Sequence, residues 1–147
     1  MLWTGRQMAV AKFVPHLRHE HVLHRWDVTG DDETSGALLG RDELMGHSVG
    51  ELGRILLRAG RRHDPDPDRD FTARLRTAGQ RDLRVLVAHG DATLAWADDS
   101  ADEPAVEIDG AARHLFIWGR RPDTRGRLRS HLSQPDLARL QALLSGY

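Results

Sequence analysis

Residues 71–97, FTARLRTAGQRDLRVLVAHGDATLAWA, set the fold class of this chain. Phe71, Ala73, Leu75 and Thr77 alternate with Thr72, Arg74 and Arg76; Leu83, Val85, Val87 and His89 alternate with Arg84, Leu86 and Ala88. A period of two sends one set to a buried face and the other to solvent, the pattern of a half-buried strand. Gly90-Asp91 supplies a two-residue hairpin turn, and Ala92 to Ala97, with Trp96, is the return strand.

Toward the C-terminus, the acidic loop DDSADEP (98–104) precedes a short strand, Ala105 to Ile108. Asp109 caps a helix from Gly110 to Trp118, with Ala111, Leu115 and Trp118 facing in and Gly119 ending it. Residues 122–126 read as a turn and Arg127 to Leu132 as a further strand. Ser133-Gln134-Pro135-Asp136 resembles a capping box, opening a last helix with Leu137, Leu140, Leu143 and Leu144 in the core.

Toward the N-terminus the period changes. RRHDPDPDRD (61–70) is a polar, proline-broken linker. A helix is predicted from Arg41 to Ala59, ended by Gly60, with Leu44, Leu52, Ile55, Leu56 and Ala59 inward. Its glycines, Gly46, Gly50 and Gly53, point to a neighbour pressed close. A first helix is predicted from Thr4 to Val28, broken or restarted at Pro15, with Val10, Val14, Leu17, His21 and Val28 as its apolar stripe. Thr29-Gly30-Asp31-Asp32 stops it. The expectation is an α+β fold: a small antiparallel sheet packed by helices (31–147), preceded by an N-terminal helix (1–30).

The totals set limits. At 147 residues the chain makes one ordinary domain with a sizeable core. It has no cysteine, which excludes disulfides, thiolate metal ligands, iron–sulfur clusters and a cysteine nucleophile, and fits a cytoplasmic setting. A formal charge of −1 gives no field toward nucleic acid or anionic lipid. No apolar run approaches the roughly 20 residues that span a bilayer. Lys12 is the only lysine; the other basic residues are arginines spread along the whole chain. No Gly-x-Ser-x-Gly frame surrounds Ser35, Ser48 or Ser133, and no phosphate loop is present.

Chemistry concentrates in HLRHEHVLHRWDVTG (16–30), which holds His16, His19, His21 and His24 with Glu20 among them. Glu20 and His24 lie one turn apart on one side of a helix, about 6 Å between Cβ atoms, a spacing that serves a divalent metal. His16 precedes on nearly the same side and Asp27 follows. The alternative is an ordinary solvated pair on a polar helix. The zinc-protease pattern HExxH fails, because His24 is five residues after His19. His19 and His21 point elsewhere. His47 is a replacement ligand if its helix packs on the first; His114 and His131 read as packing or solvated residues, and Trp26, Trp96 and Trp118 as core or edge aromatics.

Three segments together, RHEHVLHRWDV (18–28), DGAARHLFIWGRRP (109–122) and LARLQALLSGY (137–147), resemble the mycothiol-dependent maleylpyruvate isomerase family. That resemblance implies the last helix of a DinB-like four-helix bundle followed by a sterol-carrier-like C-terminal domain. It implies a divalent metal, zinc first, held by Glu20 and His24, with Asp27 the following acidic residue. It further implies mycothiol as cofactor and an arginine, Arg120 or Arg121, steering a carboxylate substrate. The family's third ligand, a histidine from an earlier bundle helix, has no counterpart after Met1. Three expectations follow: the gene starts upstream, a partner or second copy supplies the ligand, or the site is a relic. The preferred expectation is a non-catalytic module that binds a small molecule or a protein covering the N-terminal helix, and that self-associates; the alternative is a thiol-dependent isomerase or transferase whose site another chain completes.

Overall fold

The structure is a computed structural model describing all residues except 1, 4, 5, 8, 54–56, 99–101, 123–125, 146 and 147. Two short strands, β1 (Leu2–Trp3) and β2 (Arg6–Gln7), pair antiparallel where the sequence predicted the start of a helix. Helix α1 then runs from Val10 to Thr29. It passes through Pro15 as one element, forgoing one backbone bond rather than restarting. Its end is the predicted one: the Gly30 N–H returns to the Trp26 carbonyl at 2.8 Å.

A short helix that the sequence did not predict precedes the expected one, and the expected Arg41–Ala59 helix is described in two pieces on either side of residues 54–56. Asp32 caps α2 (Glu33–Leu39) by accepting the Ser35 N–H at 2.7 Å. Helices α3 (Asp42–Glu51) and α4 (Leu57–Gly60) follow, then a 3₁₀ turn, Arg61–His63. Of the three glycines expected to meet a close neighbour, Gly46 and Gly50 meet nothing, while a Cβ at Gly53 would sit 3.4 Å from the Leu94 carbonyl oxygen. A tighter approach is at Gly60, where an added Cβ would sit 1.8 Å from the Leu143 carbonyl oxygen. Ile55 and Leu56 lie outside the described residues.

Strands β3 (Phe71–Arg76), β4 (Asp82–Ala88), β5 (Asp91–Ala97), β6 (Ala105–Ile108) and β7 (Leu128–Ser130) form one sheet in the order β5-β4-β3-β6-β7. The hairpin turn is His89-Gly90, one residue earlier than predicted; both have positive φ, 50° and 80°, as a two-residue turn between twisted strands requires. The sheet is mixed rather than wholly antiparallel. The chain leaves β5 at one edge and re-enters beside β3, so β6 pairs parallel with β3, Leu75 opposite Val106.

Helices α5 (Gly110–Ile117) and α6 (Gln134–Leu143) cover one face, both capped as predicted, by Asp109 and Ser133. Leu75, Leu83, Val85, Val87 and Val106 meet Ala112, Phe116 and Ile117 of α5 and Leu140 and Leu143 of α6. On the other face Arg74 is buried by Glu103, 3.0 Å away, and Asp82. The linker is anchored by an ion pair that neither sequence period announces. Asp64 takes two bonds from buried Arg139 of α6, at 2.8 and 3.1 Å. Among the described residues no helix is long and apolar enough to cross a membrane.

The apolar stripe of α1 is uncovered, as expected of a helix that needs a partner. Val10, Val14, Leu17 and Val28 are 72%, 56%, 38% and 86% exposed, and His21 is exposed too. The face against the body carries His16, His19 and Leu23. The periodicity was that of a helix, but the larger apolar set lies outward.

Candidate functional site

Helix α1 meets the body through imidazoles. His16 and His19 come from α1, His47 and Ser48 from α3, His114 and Trp118 from α5 and its end. The four rings form a row, with centroids 5.3 Å apart for His16–His47, 5.2 Å for His47–His19 and 5.0 Å for His19–His114. His16 Nδ1 and His47 Nε2 are 3.1 Å apart. His19 Nε2 is 2.8 Å from both His114 Nε2 and Ser48 Oγ, and Ser48 Oγ is 3.0 Å from His114 Nε2.

The protons in this network can be placed. His114 Nδ1 faces the Leu39 carbonyl at 3.1 Å, so it carries a hydrogen. Burial, with His19 adding, pushes the His114 pKa down to about 3, so the ring is neutral near pH 7 and its Nε2 accepts. His19 Nε2 is therefore the donor between the two rings, shared with Ser48 Oγ. Trp118 Nε1–H also donates to Ser48 Oγ at 2.9 Å, and the Ser48 hydroxyl lies 3.0 Å from its other acceptor, the Leu44 carbonyl. His47 is likewise driven down, to about 4, by burial first and then by His19 and His16.

This assignment leaves His19 Nδ1 buried with no hydrogen-bond partner. It faces Glu20 Oε1 at 3.9 Å, and His16 Nε2 lies 3.9 Å from the same oxygen. His24 Nε2 lies 3.4 Å from Glu20 Oε2. The facing His19 ring holds the Glu20 carboxyl below its ordinary range; partial burial opposes this, and His16 and His24 reinforce it. His24 Nδ1 donates to Asp27 Oδ2 at 2.9 Å, and Arg120 grips both Asp27 oxygens at 2.6 and 2.7 Å. Arg120, with His24 adding, holds Asp27 below its usual value. Because Asp27 fixes the Nδ1 hydrogen, a neutral His24 turns its Nε2 lone pair toward Glu20. A second proton or a cation between the two makes that contact attractive.

The structure thus brings Glu20, His24 and His16 to one flank of α1, as their spacing predicted. It also sets His47 against α1. Arg120 closes on Asp27, so it orients the His24 side of the cluster and is not free to hold a substrate carboxylate. Arg121 is exposed and lines a small depression with Gln141 and Ser145. His131 sits apart, 3.2 Å from Glu107. Trp26 bonds Asp31 at 2.7 Å, and Arg81 stacks over Trp96. His19, Ser48 and His114 were missed. His114 lies in an apolar helix and Ser48 in a glycine-rich one, and neither has a local spacing signal.

Among the described residues no three of His, Asp and Glu converge closely enough to enclose a metal ion. The flank offers a carboxylate and an exposed imidazole in a preset tautomer, with further nitrogens behind them. A separate open groove of about 1210 Å³ lies between α2 and the start of α5, lined by Gly36, Gly40, Gln80, Glu107, Gly110 and Arg129 among others. Arg127 at its rim is held by Asp109 at 2.6 Å and Asp31 at 2.9 Å, and Arg76 by Asp82 at 3.2 Å. Compared with known protein families and with curated proteins, the chain matches none.

Proposed function

We propose that this chain is a non-catalytic binding module of the mycothiol-dependent maleylpyruvate isomerase type, whose α1 flank takes a divalent transition metal through Glu20 and His24. One observation carries the reading: Arg120 fixes Asp27, Asp27 fixes the His24 tautomer, and His24 Nε2 is thereby aimed at Glu20 Oε2, 3.4 Å away. A carboxylate that orients a ligating imidazole is the usual support behind a metal. The orphaned His19 Nδ1 on the inner side of Glu20 fits the same donor set, since it too presents a nitrogen to that carboxylate.

The reading is of a module because two ligands from one helix grip a cation incompletely and the His24 side chain is 65% exposed. A bound metal would polarise a thiol or a carbonyl brought to it. The chain's own residues do the rest: Asp27 and Arg120 orient, and His24 and Glu20 bind.

Zinc titration of the untagged chain, followed by calorimetry, tests this. Stoichiometric binding is expected, weakened about 10- to 100-fold by Asp27→Ala and lost in Glu20→Ala and His24→Ala. Binding that is absent, or untouched by those two variants, overturns the reading. The groove beside α5 supports a second reading, that the module takes a small polar molecule there. Protection of Arg129→Ala and the parent chain by the same ligands would count against it.

A further inference from the structure

The outward face of α1 is not a random scatter of exposed groups. Val10, Val14, Leu17, His21, His24 and Val28 follow one another at steps of four, three, four, three and four along one continuous helix. That is the seam of a two-stranded coiled coil, with core positions alternating over nearly three heptads. All six are exposed. The seam lies opposite His16, His19 and Leu23, the residues that hold α1 to the body, so both faces can be engaged at once.

The residues beside the seam differ in sign. Phe13, Glu20 and Asp27 border one side, and Ala11, Arg18 and Arg25 the other. Asp27 is engaged by Arg120 and Arg25 by Asp32, the latter through its Nη groups only. We propose that this face docks on a second copy of the same chain, the two α1 helices lying parallel about a two-fold axis. In that alignment each seam residue meets its own counterpart. Glu20 of each copy meets Arg25 of the partner subunit on both sides of the seam. An antiparallel pair centred on the same seam would instead set the two Glu20 carboxylates together and the two Arg18 guanidiniums together. Charge complementarity therefore selects both the occupant and its direction. The inference does not depend on metal binding.

The absence of native cysteine makes the test clean. Sedimentation of the whole chain is expected to show concentration-dependent association to twice the 16.5 kDa monomer, abolished by Leu17→Glu with the helical circular dichroism retained. Leu17→Cys alone is expected to oxidise to a covalent dimer, because a parallel seam pairs each residue with itself. A monomer at every concentration, a Leu17→Glu variant that still associates, or crosslinking only in a mixture of Val14→Cys and His24→Cys chains would each overturn the proposal. The last of these results would mark an antiparallel pair.

Discussion

Beneath the sheet, α5 and α6 meet Leu75, Leu83 and Val85 in a shared hydrocarbon core. Beneath α1, the same α5 and its neighbour α3 meet His16 and His19 through ring nitrogens and a serine hydroxyl. The apolar part of the second contact is small: Leu23, Leu39, Ala111 and Leu115, with Val22, Trp26 and Trp118 at its edge. Hydrocarbon contact is indifferent to pH and to small shifts. A buried hydrogen-bonded network holds only while every partner is in place, and here burial keeps His47 and His114 neutral near pH 7. The two faces of α5 should therefore fail under different insults.

Leu75→Ala should have the largest effect. Leu75 is fully buried in the middle strand, and such truncations cost about 2–5 kcal/mol. Urea unfolding should show the loss equally by every probe. If α1 alone reports it, the sheet is not the common core. Ser48→Ala should cost about 1–3 kcal/mol, because it removes the hydroxyl that accepts from Trp118 Nε1 and shares the His19 Nε2 hydrogen with His114. That loss should appear first as faster hydrogen exchange in α1 and α3, with β3 and β4 unchanged; uniform loss would merge the two regions.

Acidity separates them further. His114 titrates at 6.5 when unfolded and at about 3 when folded. The unfolded chain thus takes up the proton first. Stability from this group is complete above about 6.5 and declines as pH falls from there toward about 3. The melting temperature should drop over that window, and His114→Gln should flatten the slope. A slope unchanged in that variant would assign the acid sensitivity elsewhere. Least costly should be Arg120→Ala, which removes a partly exposed pair worth about 0.2–1 kcal/mol yet frees Asp27 and His24. Its signature is weakened zinc binding with stability nearly unchanged.

What the sequence revealed follows the same division. Strands β3 to β5 and helices α5 and α6 were legible because a half-buried strand writes a period of two and a capped helix writes Asp109 or Ser133 at its start. The parallel pairing of β6 was not, since register between distant strands leaves no local mark. Helix α1 was legible as a helix with an uncovered apolar stripe, but the face it buries was not legible. Apolar periodicity identifies the inner face only when that face is hydrocarbon, and here it is His16, His19 and Leu23. Glu20 and His24 were found because the pair lies within one turn. His19, Ser48 and His114 were not, because their contact joins residues 29, 66 and 95 positions apart. The same holds for Asp64 with Arg139.

Amide hydrogen exchange, measured at pH ~7 and pH ~5 and corrected for the intrinsic rate, tests most directly whether α1 is held by its buried contacts to His47 and His114 rather than by hydrocarbon. Val10–Thr29 is expected to lose protection at the lower pH while β3 and β4 keep theirs. Equal loss in both, or an α1 as protected at pH ~5 as at pH ~7, would contradict it.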